Sequence, residues 1–303
     1  MNKHILVDRL VVALSRLLPD NKKFFAGSIE GPSFTEHING IELPELVLPN
    51  QGDISETEVN TLDGPCNTAF KVARWIGSDA PTLLYHHGNN ERPFDMRKGA
   101  KNTYPGIFLN RSAPINANIF VIRAPYHNTT LKEYQRKMKD LTAFMAMIAT
   151  SVSMNEALIN LLRKKGVSTI CTCGMSLGGW VTNLHRAVYN SSDAYIPLMA
   201  GTFLGSLFTQ SRYRHLTSSK AKGYHKQIED KLNFQELHNQ VDSNNLFPLL
   251  ARYDQFIEYE VQKRSYKKYP LKVIEAGHIT GALSPGQLSE HISNVLAQVK
   301  AQE

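Results

Sequence analysis

Only three of the 303 residues are cysteine, at positions 66, 171 and 173, which is no basis for a disulfide framework. Cys171 and Cys173 stand two apart in an apolar run that reads as a strand, so their side chains share one face and are expected to be buried as small hydrophobes. A metal reading would need further ligands at suitable spacing, and none accompany them, so no metal is expected. The cysteine usage points to a cytoplasmic protein. Acid is missing from Ala194 to Ile228, where Arg212, Arg214, Lys220, Lys222 and Lys226 stand with His215 and His225. Lysine and arginine are missing from Ile41 to Phe70, where Glu42, Glu45, Asp53, Glu56, Glu58 and Asp63 are acidic. The formal net charge of +7 is therefore unevenly spread. The basic stretch is either a solvated face or an electropositive cap that draws anionic substrates or touches acidic lipid. No nucleic-acid-binding motif accompanies the charge, which sets nucleic acid aside as a partner.

Repeats and low-complexity tracts are absent as well, and 42% hydrophobic with 20% charged residues is the composition of an ordinary globular protein. The N-terminal "HILVDRLVVALSRLL" is too short, and with Asp8, Arg9 and Arg16 too charged, to span a bilayer, and no small-residue cleavage site follows it. The spacing of Ile5, Leu6, Leu10, Val11 and Leu14 predicts an amphipathic helix within residues 1–24, packed on the domain, with a membrane surface or a dimer contact as the other uses.

Residues 25–303 read as one α/β domain. "IELPELVLP", "TAFKVARWIG" and "APTLLYHHG" suggest antiparallel strands, after which strand and helix alternate, as parallel pairing through crossovers requires. "ANIFVIRAPY" is the next strand. Capping boxes predict one helix from Thr130 with Glu133 and a second from Ser153 with Glu156, stopping at Gly166. "VSTICTCG" and "AYIPLMAG" are short apolar strands of the buried parallel kind, with a helix between them. Residues 202–245 break the rhythm as an insertion placed to cover a site. "LFPLLARYD" resumes as a strand, "QFIEYEVQKRSY" as a helix, "LKVIEAGH" as the last strand, and a closing helix follows with Ser284 as N-cap and Pro285 at its first position.

Within that frame "CTCGMSLGGW" brackets Ser176 with Gly174 and Gly178. A bare G-x-S-x-G is weak evidence, but here a buried strand leads in and a helix leads out. The serine would sit on a tight strand-to-helix turn, its oxygen exposed at the positive end of a helix, and side chains at 174 and 178 would collide with their neighbours.

With "HHG" at 86–88, "GMSLGG" at 174–179, "ARYD" at 251–254 and "AGH" at 276–278, the chain from about residue 40 resembles the α/β-hydrolase fold superfamily. The resemblance implies a mostly parallel sheet flanked by helices, with a helical cap. It implies Ser176 as nucleophile, His278 as base and Asp254 as the acid that orients it, because a hydroxyl is a poor nucleophile until a base takes its proton. Asp254 also suits the N-cap of the helix after it, and Asp193 and Glu275 are the rival acids. An oxyanion hole from the amides of Asn89 and Leu177 is implied too. His86 and His87 invite a metal reading, but adjacent residues on a strand point to opposite faces, and a structural role is expected. The implied activity is a serine hydrolase acting on a small-molecule ester or thioester through an acyl-enzyme, without a cofactor. A non-catalytic binding protein of the same fold is the alternative, as is the same triad used for acyl transfer, amide cleavage or C–C hydrolysis.

Overall fold

The structure, a computed structural model, describes residues 2–110 and 114–301. Eight strands form one sheet: β1 (Ile54–Thr61), β2 (Gly64–Arg74), β3 (Thr82–His86), β4 (Asn118–Arg123), β5 (Ile170–Met175), β6 (Ala194–Leu198), β7 (Leu249–Ala251) and β8 (Lys272–Ile274). Their spatial order is β1-β2-β4-β3-β5-β6-β7-β8. β2 pairs antiparallel with β1 and β4, and all the remaining pairings are parallel. Every residue of β3, β4, β5 and β6 is buried. Near-continuous apolar runs are what parallel strands covered on both faces require.

Helices α1 (Lys3–Ser15), α2 (Phe34–Asn39), α3 (Leu131–Lys137), α4 (Leu141–Lys164) and α5 (Leu177–Val188) precede residues 202–245. That segment folds into four short helices, α6 (Gly205–Thr209), α7 (Ser219–Lys222), α8 (His225–Leu232) and α9 (Gln235–Asn239). Then come α10 (Tyr259–Gln262), α11 (His278–Ala282) and α12 (Pro285–Lys300). One apolar cluster joins α4 and α5 to the 202–245 segment, and another joins α12 to the opposite face of the sheet. Cys171 and Cys173 are both buried and both belong to the α12 side. The capping box at Thr130 and Glu133 opens α3 as the sequence predicts.

Several expectations are corrected. "IELPELVLP" is not a strand. Its alternation survives, with Leu46 and Leu48 against the core and Val47 81% exposed, but two prolines deny it a ladder. "APTLLYHHG" is a strand but a parallel one, between β4 and β5. β1 carries little apolar signal, because an edge strand with Glu56 and Glu58 needs only one covered face. Ser153 starts no helix: it lies inside α4, a 24-residue helix. Thr150 Oγ1 and Ser151 Oγ donate to the carbonyls of Ala146 and Met147, so these two hydroxyls are satisfied without ending the helix. α4 is long and apolar enough to cross a membrane, yet 89% of its most apolar window is buried inside the fold. Residues 255–266 form only α10 and a short tight turn of helix after it. The last strand stops at Ile274, and Ser284 begins α12 without a side-chain cap, its hydroxyl donating to Thr280 O instead.

The N-terminal helix forms and lies against α11 and residues 212–216, with Val12 in the apolar core, but much of the expected apolar stripe is not covered. Leu6, Leu10 and Val11 are exposed, Leu10 by 57%, whereas Asp8 is fully buried with Val12. A polar anchor docks this helix where an apolar stripe was expected. The Leu14 side chain lies outside the described residues.

Candidate active site

Each candidate residue sits just past the carboxyl end of a parallel strand: Asn89 after β3, Ser176 after β5, Asp254 after β7 and His278 after β8. In open α/β sheets this is the edge where ligands bind. Ser176 has φ 52° and ψ −106°, a conformation an L-residue holds only when its surroundings enforce it. The Ser176 amide donates to Leu198 O on β6 (2.8 Å), and the Gly178 amide to His87 O (3.1 Å). A Cβ on Gly174 would lie 2.1 Å from Gly178 O, and one on Gly178 would lie 2.1 Å from His86 O. Strand β5, helix α5 and strand β3 thus meet backbone to backbone, and glycine alone permits it.

Ser176 Oγ lies 3.1 Å from His278 Nε2, and His278 Nδ1 lies 2.7 Å from Asp254 Oδ2. With a carboxylate on Nδ1 the ring carries its proton there, leaving Nε2 to accept the serine O–H. Burial pulls the His278 pKa down, but the charge and hydrogen bond of Asp254, with the charges of Asp8 and Glu91, outweigh it and hold the imidazole above its ordinary value. The other oxygen of Asp254 accepts the amides of Phe256 (2.8 Å) and Ile257 (2.7 Å). These bonds shape a turn rather than cap a helix, since α10 begins only after Glu258. The rival acids are engaged elsewhere: Asp193 with Arg163 and the Ile170 amide, Glu275 with Arg252. His278 is the first residue of α11 and not the end of a strand.

The loop after β3 is heavily braced. His86 and His87 do not point apart, because the strand stops at His86; their rings stack at 4.9 Å. His86 Nδ1 donates to His87 O and His87 Nδ1 to Gly88 O, while His87 Nε2 accepts the Ala124 amide. Burial drives both rings far below the usual histidine range, His86 to about 3, so they are neutral struts. Among the described residues no histidine, cysteine and carboxylate cluster is built to hold a metal. The Asn89 side chain accepts the Tyr134 hydroxyl (2.6 Å). Glu91 accepts the Gly88 amide (3.1 Å) and both the amide and hydroxyl of Thr103 (2.8 Å each).

These groups open on a cavity of about 1070 Å³ lined by Asn89, Ser176, Leu177 and His278. Its walls are largely apolar, with Phe144, Trp180, Leu204, Phe208, Tyr213 and Phe256 among them. Residues 202–245 contribute Leu204, Leu207, Phe208, Tyr213 and Leu216 to this wall, whereas Arg212, Arg214, Lys220, Lys222 and Lys226 do not line the cavity. Its cations are Lys22, Lys23, Arg92, Arg97 and Lys101, beside the acids Glu91 and Asp95. Asp8 and Glu91 are the neighbours of the site that sequence reasoning missed. A lone acid in an apolar helix sets Asp8 apart without indicating its partners, and nothing sets Glu91 apart.

No protein-family model matches the sequence, and no curated protein matches it. Solved structures do. An esterase from Pyrococcus furiosus superposes with a TM-score of 0.50 at 13% identity, over 84% of this chain and 98% of that one. An esterase from Pyrobaculum calidifontis gives a TM-score of 0.50 at 12% identity, over 100% of this chain and 95% of that one. The acylaminoacyl peptidase of Pyrococcus horikoshii gives 0.54 at 11% identity, over 82% of this chain but only 41% of the peptidase. Likeness at such identities speaks for the architecture, and with the sheet order and the strand-end positions above it gives one conclusion: the chain has the α/β-hydrolase fold.

Proposed function

We propose that the protein is a serine hydrolase that cleaves a carboxylic ester or thioester through an acyl-enzyme. The observation that carries this reading is the continuous chain from Ser176 Oγ through His278 to Asp254, opening on an apolar cavity from a strained strand-to-helix turn. Ser176 Oγ attacks the acyl carbon as its proton passes to His278 Nε2, and Asp254 holds the imidazolium in place. The amides of Asn89 and Leu177 hold the oxyanion. Collapse of the tetrahedral species expels the alcohol or thiol, which takes the proton from Nε2. Water then attacks the acyl-enzyme, giving its proton to His278, and Ser176 recovers a proton as the acid leaves. The apolar wall receives the acyl chain, and the cations beside it favour an anionic group on the substrate.

A fluorophosphonate probe tests the reading directly. Wild-type protein is expected to be labelled at Ser176 and to hydrolyse p-nitrophenyl esters, and Ser176→Ala to do neither, with turnover lower by about 10⁶-fold. Labelling of neither protein, or equal hydrolysis by both, would leave a non-catalytic binding protein as the better description.

A further inference from the structure

The carboxylate of Asp8 is fully buried in a helix whose neighbouring leucines are exposed. Such a placement needs a reason, because burying a carboxylate is costly unless its oxygens are well satisfied. Asp8 Oδ2 accepts the amides of His278 (2.8 Å) and Gln255 (3.1 Å), and Oδ1 accepts that of Ile279 (3.0 Å). Gln255 directly follows Asp254, so one carboxylate binds both the acid loop and the base loop at the residues that carry the chemistry. A turn earlier on α1, His4 Nδ1 lies 2.8 Å from Thr280 Oγ1, and the His4 ring stacks on Tyr253, the residue before Asp254. The fit is close: a Cβ on Gly277 would lie 2.8 Å from Asp8 Oδ2 and 2.9 Å from His4 O.

We infer that Asp8 is a positioning residue for the Ser176–His278–Asp254 chain, its carboxylate tying the acid loop to the base loop and fixing the reach of the imidazole to Ser176. This rests on the hydrolase reading above. Loops after β7 and β8 follow strands of three residues each and have little regular structure of their own to hold them. Two separate loops must nonetheless keep the His278–Asp254 and His278–Ser176 contacts at once. A displacement of about 1 Å can cost on the order of 10²-fold in rate. The charge acts as well as the bonds. Asp254, Asp8 and Glu91 all raise the His278 pKa against its burial, while burial and the charge of Asp254 raise that of Asp8 itself.

The test is Asp8→Asn, assayed by kcat and KM on a p-nitrophenyl ester across pH, with His278 followed by imidazole NMR. Expected is a kcat lower by about 10- to 100-fold with KM nearly unchanged. The acid limb of kcat/KM and the His278 titration should both move to lower pH, because a negative charge beside the ring has gone. A merely structural Asp8 would lower the melting temperature and move neither. Asp8→Glu separates charge from reach: kcat should fall while the titration stays near that of wild type. Should Asp8→Asn not fold, Asp8→Glu carries the test, and wild-type kcat in it overturns the inference. So does wild-type kcat with an unmoved titration in a folded Asp8→Asn. If the wild-type protein hydrolyses no ester and takes no fluorophosphonate, the hydrolase reading falls. The NMR titration then still decides whether Asp8 governs His278.

Discussion

Ser176 and the two residues hydrogen-bonded in line with it, His278 and Asp254, are held in place by different physics. Ser176 is fixed by sterics over a few residues: Gly174 and Gly178 let three backbone segments meet at distances where no side chain fits. His278 and Asp254 are fixed by polar contacts over the whole chain, with Asp8 binding residues more than 240 positions away. The first arrangement is rigid because close-packed backbone has no alternative. The second is rigid only while a helix carrying exposed leucines stays docked, through Asp8, His4 and the buried Val12. Perturbing the elbow should therefore act on stability and activity together, and perturbing the loops mainly on activity.

Among variants that leave Ser176 itself in place, the loop side gives the largest effect. Asp254→Asn keeps the size of the side chain and an acceptor for the Phe256 and Ile257 amides, but presents an amide to Nδ1 and favours the wrong tautomer. The expected loss is about 10⁴-fold in kcat. Asp193→Asn and Glu275→Gln should retain most activity, because their ion pairs with Arg163 and Arg252 lie outside the chain of bonds to Ser176. A steady-state comparison of the three decides it, and an active Asp254→Asn beside a dead control would move the acid.

On the elbow side, Gly178→Ala places a methyl 2.1 Å from the carbonyl oxygen of His86. That contact cannot relax by a side-chain rotation, so β3 and α5 must separate. A destabilisation of about 1–3 kcal/mol is expected, together with a loss of about 10²-fold in kcat from the misplaced serine. Thermal melts and kinetics on the same preparation read both, and a stable, fully active variant would show that the contact is not needed.

This contrast also explains what could be read from the sequence. Gly174, Ser176 and Gly178 announce a turn because the residues that make it lie within five positions, even though Gly178 also makes room for β3, and the buried strands around it are apolar runs. His278 and Asp254 are legible by their place after the last strands. Asp8 is not, because its partners are backbone amides, which every residue has, and only the fold brings them near. Periodicity finds the helix it sits on but not the way it docks: beside Val12 a polar contact holds it, and periodicity locates only an apolar stripe. Ser153 misled because a hydroxyl three residues before a glutamate looks like a helix start wherever it occurs. In α4 the neighbouring hydroxyls bond back to the preceding turn, and Glu156 turns to His185 instead.

The acid limb of the pH profile sharpens the comparison further. In the proposed mechanism His278 must be neutral at Nε2 to take the serine proton, and, against burial, Asp254, Asp8 and Glu91 hold its pKa above the ordinary value. Activity should thus be full above that raised value and be lost as pH falls through it, with the midpoint of kcat/KM above about 6.5. A midpoint below that would mean that burial, not the carboxylates, sets the ring.

The smallest effect tests which region supplies the charge that meets substrate. Sequence alone leaves the basic stretch from Arg212 to Lys226 as either a solvated face or the charge that draws substrate, and the cavity takes only apolar side chains and Tyr213 from there, with its cations at Lys22, Lys23, Arg92, Arg97 and Lys101. Arg97 is paired with Asp95 at 2.6 Å, so Lys22 and Lys101, both exposed, are the better probes. Lys22→Gln with Lys101→Gln should raise KM for a carboxylate-bearing ester by about 3-fold relative to a neutral one, since exposed charges act through a screened field. The gap should close as salt is added. Arg212→Gln, Arg214→Gln and Lys220→Gln together should leave both esters alike, because those charges lie outside the cavity lining. If the triple variant discriminates and the double does not, the field of the 202–245 segment outweighs proximity, and the charge that selects substrate belongs to the segment and not to the cavity wall.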